Sequence, residues 1–143
     1  MKNIQILSIS IKVIEKTSLY ILLHEDGTIN RQGFGNFDFN TNFCLGIIET
    51  KIILNELSKL LDSELESKFN NDYDLPNKKG MPCSMEIIFE SENKISKINF
   101  NYGSESVGPP EEVYKLVLKA IELTDSWYNQ NNIQKKKWWK LWK

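Results

Sequence analysis

The chain has 143 residues, of which 41% are hydrophobic and 26% charged, with a formal net charge of −1. That is enough chain to bury one substantial core, and the composition lies far from that of a disordered segment. Residues 135–143 carry five Lys and no acid, so the other 134 residues hold 13 cations against 19 acids, a balance of −6; an acidic body excludes the broad basic face that nucleic-acid phosphates need.

The chain opens on a period-two pattern. Leu7, Ile9, Ile11 and Val13 alternate with Ser8, Ser10 and Lys12, the signature of a half-buried strand. The same alternation argues against a secretory leader, which needs a continuous apolar run. No apolar stretch approaches the ~20 residues that cross a bilayer, and the expected location is cytoplasmic. A turn is expected at Glu15–Ser18, then a central strand at Leu19–His24. Glu25-Asp26-Gly27 is a hairpin signal, because Asp-Gly supplies the positive φ angles of tight turns. A third strand follows over Thr28–Phe34.

Residues 33–46 place Phe37, Phe39 and Phe43 among Asn, Asp and Gly. They suit a contact loop or a set of rings folded back on the core, with a short strand over Phe43–Ile48. Thr50 is the expected N-cap of a helix ending near Phe69-Asn70, with Ile53, Leu57, Leu60, Leu61 and Leu65 at helical spacing. Residues 70–83 read as a polar loop. Ser84–Glu90 and Ile95–Tyr102 form two further strands around a Ser91–Lys94 turn. Pro110, Glu111 and Glu112 begin a second helix, whose stripe includes Val113, Leu116, Val117, Ala120, Ile121 and Thr124.

The order β-β-β-(β)-α-β-β-α gives an α+β two-layer sandwich: an antiparallel sheet of about four to six strands with two amphipathic helices on one face. Residues 1–132 form a single domain, and 133–143 a basic, Trp-rich tail.

No stretch carries a recognisable catalytic motif. His24 is the sole histidine, so a His pair or His-rich metal site is ruled out. Gly33-Phe34-Gly35 lacks the Lys-Ser/Thr of a phosphate cradle, and turn or bulge glycines explain it better. Asp72 and Asp74 offer oxygen ligands, but the downstream Glu of a calcium loop is missing. Arg31 is the only arginine, suited either to a bidentate contact or to covering a strand face with its stem. Cys44 and Cys83 match no metal or redox spacing and read as two reduced, separate thiols. Neither a metal nor a cofactor is expected. The loop residues Arg31, Phe37, Phe39, Asp72 and Asp74 are the secondary candidates for binding.

The principal candidate is the tail itself: Lys135, Lys136, Lys137, Trp138, Trp139, Lys140, Leu141, Trp142 and Lys143. Three of the chain's four tryptophans alternate here with ammonium groups, a composition for a boundary between apolar and wet phases or for a partner's surface. The rings could equally pack back on the domain while the lysines stay in water.

In size, acidity and α+β character the chain is similar to the small cytosolic proteins that neutralise bacterial toxins, and the Asn-, Ile- and Lys-rich usage is typical of AT-rich bacterial genomes. The resemblance implies a non-enzymatic binding protein, most concretely an immunity or inhibitor protein with a protein partner and no nucleic acid. The alternative is a peripheral protein touching an anionic membrane, or an assembly, through the tail. The third is an enzyme or small-ligand binder.

Overall fold

The structure is a computed structural model that describes residues 3–32, 42–44, 46–76 and 78–125. The strands are β1 (Ile6–Val13), β2 (Lys16–His24), β3 (Thr28–Gln32), β4 (Asn42–Cys44), β5 (Asn71–Asp74), β6 (Pro82–Ser91) and β7 (Lys94–Gly103). The helices are α1 (Ile47–Ser58), α2 (Ser63–Ser67) and α3, which spans 111–125. One sheet holds all seven strands in the order β4-β3-β2-β1-β6-β7-β5. Every pairing is antiparallel except that of β5 with β7. The molecule is the expected α+β two-layer sandwich.

Register explains why one face is the core. Ile29, Leu23, Leu7 and Phe89 lie opposite one another across four strands, and Ile21, Ile9, Ile87 and Ile98 form the next row. All eight are 2% exposed or less. The strand period of two sends Ser8, Ser10, Glu86 and Asn99 to the opposite face. The buried residues of α1 (Ile53, Leu54, Leu57) and of α3 (Val113, Leu116, Val117, Ala120) join these strand residues in one hydrophobic cluster, so both helices cover the same face.

The chain turns earlier than the sequence suggests. Ile14 and Glu15, at φ 50° and 63°, form a two-residue hairpin with Val13 paired to Lys16, so the turn precedes Glu15–Ser18 and β2 starts at Lys16. A bulge between Ile11 and Lys12 absorbs the offset. Glu92 and Asn93 repeat the left-handed pair between β6 and β7.

The helix expected from Thr50 to about residue 69 is two helices. Gly46, at φ 119°, precedes the first turn, and Thr50 lies inside it with its hydroxyl donating to the Gly46 carbonyl at 3.0 Å. The break after Ser58 comes from Asp62, whose carboxylate accepts from the Leu65 N–H at 2.8 Å and restarts the chain as α2. The expected exit near Phe69-Asn70 is where the chain leaves, with Asn70 at φ 65°.

Residues 70–83 are more ordered than a polar loop. Asn71–Asp74 pair in parallel with Ile98–Asn101, and Tyr73 stacks on Phe100 with ring centroids 5.0 Å apart. Further on, Glu105 N–H donates to the Lys79 carbonyl at 2.9 Å and Ser104 N–H to that of Met81 at 2.9 Å. A Cβ on Gly103 would lie 2.3 Å from the Lys79 carbonyl oxygen, so glycine is what lets this segment lie on β7.

Cys44 in β4 and Cys83 in β6 are four strand spacings apart, roughly 19 Å across the sheet. A disulfide needs Cα atoms within about 7 Å, so these two backbone positions are too far apart to be bridged. Among the described residues no helix is long and apolar enough to cross a membrane.

Two measurements check this packing. Leu57 and Leu116 are 0% and 1% exposed; truncation of either to Ala should cost about 2–5 kcal/mol in urea unfolding. Gly103→Ala should cost about 1–3 kcal/mol through overpacking against the backbone at Lys79, whereas an unchanged midpoint would mean that 78–81 is not held against β7.

Candidate interaction surface

Helix α1 has two apolar sides. One contributes Ile53, Leu54 and Leu57 to the core. The other presents Ile48 and Ile52, one turn apart, at 73% and 58% exposure, with Ile47 beside them at 54%. A surface helix of a globular protein normally needs one apolar stripe; a second, turned to water, is a candidate contact surface. The double character shows at the adjacent pair Ile52-Ile53, where a 100° step turns Ile52 to water and Ile53 into the core.

Beside this stripe lies an open groove of about 500 Å³. Ile48, Lys51, Ile52 and Asn55 of α1 form one wall; Asn3 and Ile4, ahead of β1, and Glu25, at the end of β2, complete it. The walls are fixed by the fold. The Ile4 N–H donates to Ser58 Oγ at 2.9 Å, which ties the N-terminal segment to α1. The Glu25 N–H donates to the Gln5 carbonyl at 2.9 Å, which ties the β2–β3 turn to the same segment. Within that turn, Asp26 accepts from the Thr28 N–H at 2.9 Å, and this bond holds its carboxyl below the ordinary value. Next to it, His24 Nδ1 accepts from the Asp26 N–H at 3.0 Å, so the histidine trims the hairpin.

The remaining candidate residues are scattered. Arg31 is 3% exposed and points into the core from β3, where its Nη1 reaches Asp125 at 2.9 Å, Thr124 Oγ1 at 2.8 Å and the Ile121 carbonyl at 3.3 Å. It therefore fastens the end of α3 to the sheet through an ion pair and hydrogen bonds. Asp72 and Asp74 sit five strands away on β5. Asp72 accepts from Asn99 at 2.9 Å and Asp74 pairs with Lys78. The structure does not bring these three residues together. Phe37, Phe39 and the tail Lys135, Lys136, Lys137, Trp138, Trp139, Lys140, Leu141, Trp142 and Lys143 lie outside the described residues. Among the described residues no group of three His, Cys, Asp or Glu could hold a metal ion.

A second polar corner forms where α3 starts. Burial pushes the Tyr102 phenol up, and the neighbouring Tyr114 phenol acts in the same direction. Burial also raises Tyr114 and the Cys83 thiol. A raised cysteine is a poor nucleophile, because the thiolate is the reactive form. This corner reads as packing chemistry.

Comparison with known proteins returns no matching family model, no matching curated protein and no matching solved structure.

The tyrosine corner has a pH consequence. The neutral phenol of Tyr102 is favoured in the folded state, so its contribution to stability is complete below the unfolded tyrosine value, near 10, and disappears as pH rises through the higher folded value. Stability should therefore fall as pH climbs above about 10. In an ultraviolet titration one tyrosine should ionise late and together with unfolding, and Tyr102→Phe should remove that late step.

Proposed function

We propose that the chain is a non-enzymatic binding protein that engages a protein partner through the exposed side of α1, in the manner of an immunity or inhibitor protein. The observation that carries this is the pair Ile48 and Ile52, exposed one turn apart at the lip of the groove. A small ligand seated in the groove would leave the convex helix surface wet. A protein surface covers both, seating one apolar side chain between Ile4 and Ile52 and laying others on Ile48.

Charge supports the same direction. The acidic balance of −6 over residues 1–134 favours encounter with a basic partner, and such steering raises association rates more than affinity. The β5 end of the sheet is less suited to docking. β5 has four residues and carries Asp72 and Asp74; a short, charged edge strand resists addition of a foreign strand.

The test uses tagged full-length protein in extract of the source cells, beside an Ile48→Ser/Ile52→Ser variant. Both substitutions are at exposed sites, so stability should stay within about 0.5 kcal/mol of wild type. A partner retained by wild type should be lost from the variant, and once purified it should be inhibited stoichiometrically by the wild-type chain. A partner held equally by both proteins would rule out α1 as the docking side.

A further inference from the structure

The end of the sheet remote from the α1 groove carries a backbone anomaly. Ile14 holds φ 50° at the tip of the β1–β2 hairpin while 53% exposed. Asn and Gly are the usual residues of such a turn, because a β-branched side chain crowds the backbone at positive φ. Ile14 therefore costs the fold twice, in backbone strain and in apolar surface left in water. Residues held in sparsely populated backbone regions cluster at functional sites.

Two more apolar side chains stand at the same end: Met81, 49% exposed, just ahead of β6, and Val107, 80% exposed, in the connection from β7 to α3. The fold fastens the three segments to one another. The Ile14 N–H donates to the Pro82 carbonyl at 2.9 Å and the Met81 N–H to Ser104 Oγ at 2.8 Å. The Gly103 N–H donates to Ser106 Oγ at 3.1 Å, which closes the turn before Val107. We propose that this end is a weak two-fold docking surface for a second copy of the chain, with Ile14, Met81 and Val107 at its centre.

Charge selects that occupant. Lys12 and Lys16 flank the hairpin tip and Lys79 precedes Met81, while Glu15 follows Ile14 and Glu105 lies two residues before Val107. These five groups are exposed, and the nearby Lys78 is taken up by Asp74. A two-fold contact lets each sign on one copy meet the opposite sign on the other. An anionic membrane would instead repel the acid beside two of the three apolar side chains. The formal net charge of −1 leaves little long-range repulsion between copies. Three partly exposed side chains per copy fall short of a standard interface of ~800 Å² per partner, so association depends on concentration and is not obligate. β1 separates this end from Ile4 and Glu25 on the groove wall, so both α1 surfaces of the pair stay open.

Sedimentation velocity of the full-length chain over a concentration series tests this. Wild type should pass from monomer to dimer between micromolar and millimolar concentration. Ile14→Asn/Val107→Ser should weaken dimerisation at least about tenfold. In dilute solution the urea midpoint of that variant should match or exceed the wild-type value, because Asn accepts the left-handed backbone. If the midpoint falls instead, Met81→Ser/Val107→Ser, which leaves the hairpin intact, must show the same loss of dimer for the proposal to stand. Lys12→Glu/Lys16→Glu/Lys79→Glu and Glu15→Lys/Glu105→Lys should each be monomeric alone and should pair when mixed. Ile48→Ser/Ile52→Ser should dimerise as wild type does, whatever it does to partner capture. A wild type that stays monomeric up to about 1 mM overturns the proposal; if that monomer binds phosphatidylserine vesicles and Ile14→Asn/Val107→Ser does not, the end belongs to a membrane. A dimer that survives both apolar variants, or that Ile48→Ser/Ile52→Ser abolishes, overturns it as well.

Discussion

A sheet with one apolar face must have that face covered across its whole width, and the rest of the molecule follows from that requirement. The rows through Leu7 and Ile9 run across the central strands, and every position in them is closed to water. The cover comes from two main helices on the same side. α3 begins beside β7, where Tyr114 neighbours Tyr102, and ends over β3, where Arg31 reaches residues 121–125. It therefore crosses most of the sheet in a single pass. Arg31 stands at the inward position opposite Ile21, so the row ends in a cation instead of an aliphatic side chain. Burying a cation costs free energy unless it is paired and hydrogen-bonded. Asp125, 41% exposed at its side chain, supplies the charge from the solvent side, and Thr124 and the Ile121 carbonyl supply bonds from within. Shared between strand and helix, that arrangement fixes where α3 can lie in a way apolar contact alone does not.

Much of this was legible in the chain because the governing signals are local. Alternation at Leu7–Val13 and at Met85–Phe89 gives strand, phase and buried face together. The 3.6-residue stripe from Val113 to Thr124 does the same for α3. What escaped has a common cause, which is partners distant in sequence. β5 is Asn-Asp-Tyr-Asp, with no apolar alternation, and becomes a strand only because β7 offers a free edge and Phe100 a surface for Tyr73. The break in the first helix was visible in principle, since Asp62 three residues before Leu65 is a capping arrangement, but an unbroken leucine stripe outweighs it on paper. Arg31 kept two roles open until the fold placed Asp125 beside it. The exposed side of α1 was hidden for another reason: Ile48 reads as the end of a short strand over Phe43–Ile48, whereas the helix already begins at Ile47, and the outward turn of Ile52 shows only once Ile53, Leu54 and Leu57 fix the helix phase.

That phase is what gives α1 its interest. The buried side is sufficient to hold the helix, and Ser58 adds a bond to the Ile4 N–H at its far end. Ile48 and Ile52 therefore contribute little to folding, and exposed isoleucines carry a risk of nonspecific association. Glu49, Lys51 and Glu56 are interspersed along the same helix, and Glu56 is occupied by Lys59 at 2.8 Å. An apolar pair framed by charges favours a defined contact over general stickiness, because a wrong partner must desolvate those charges without compensation.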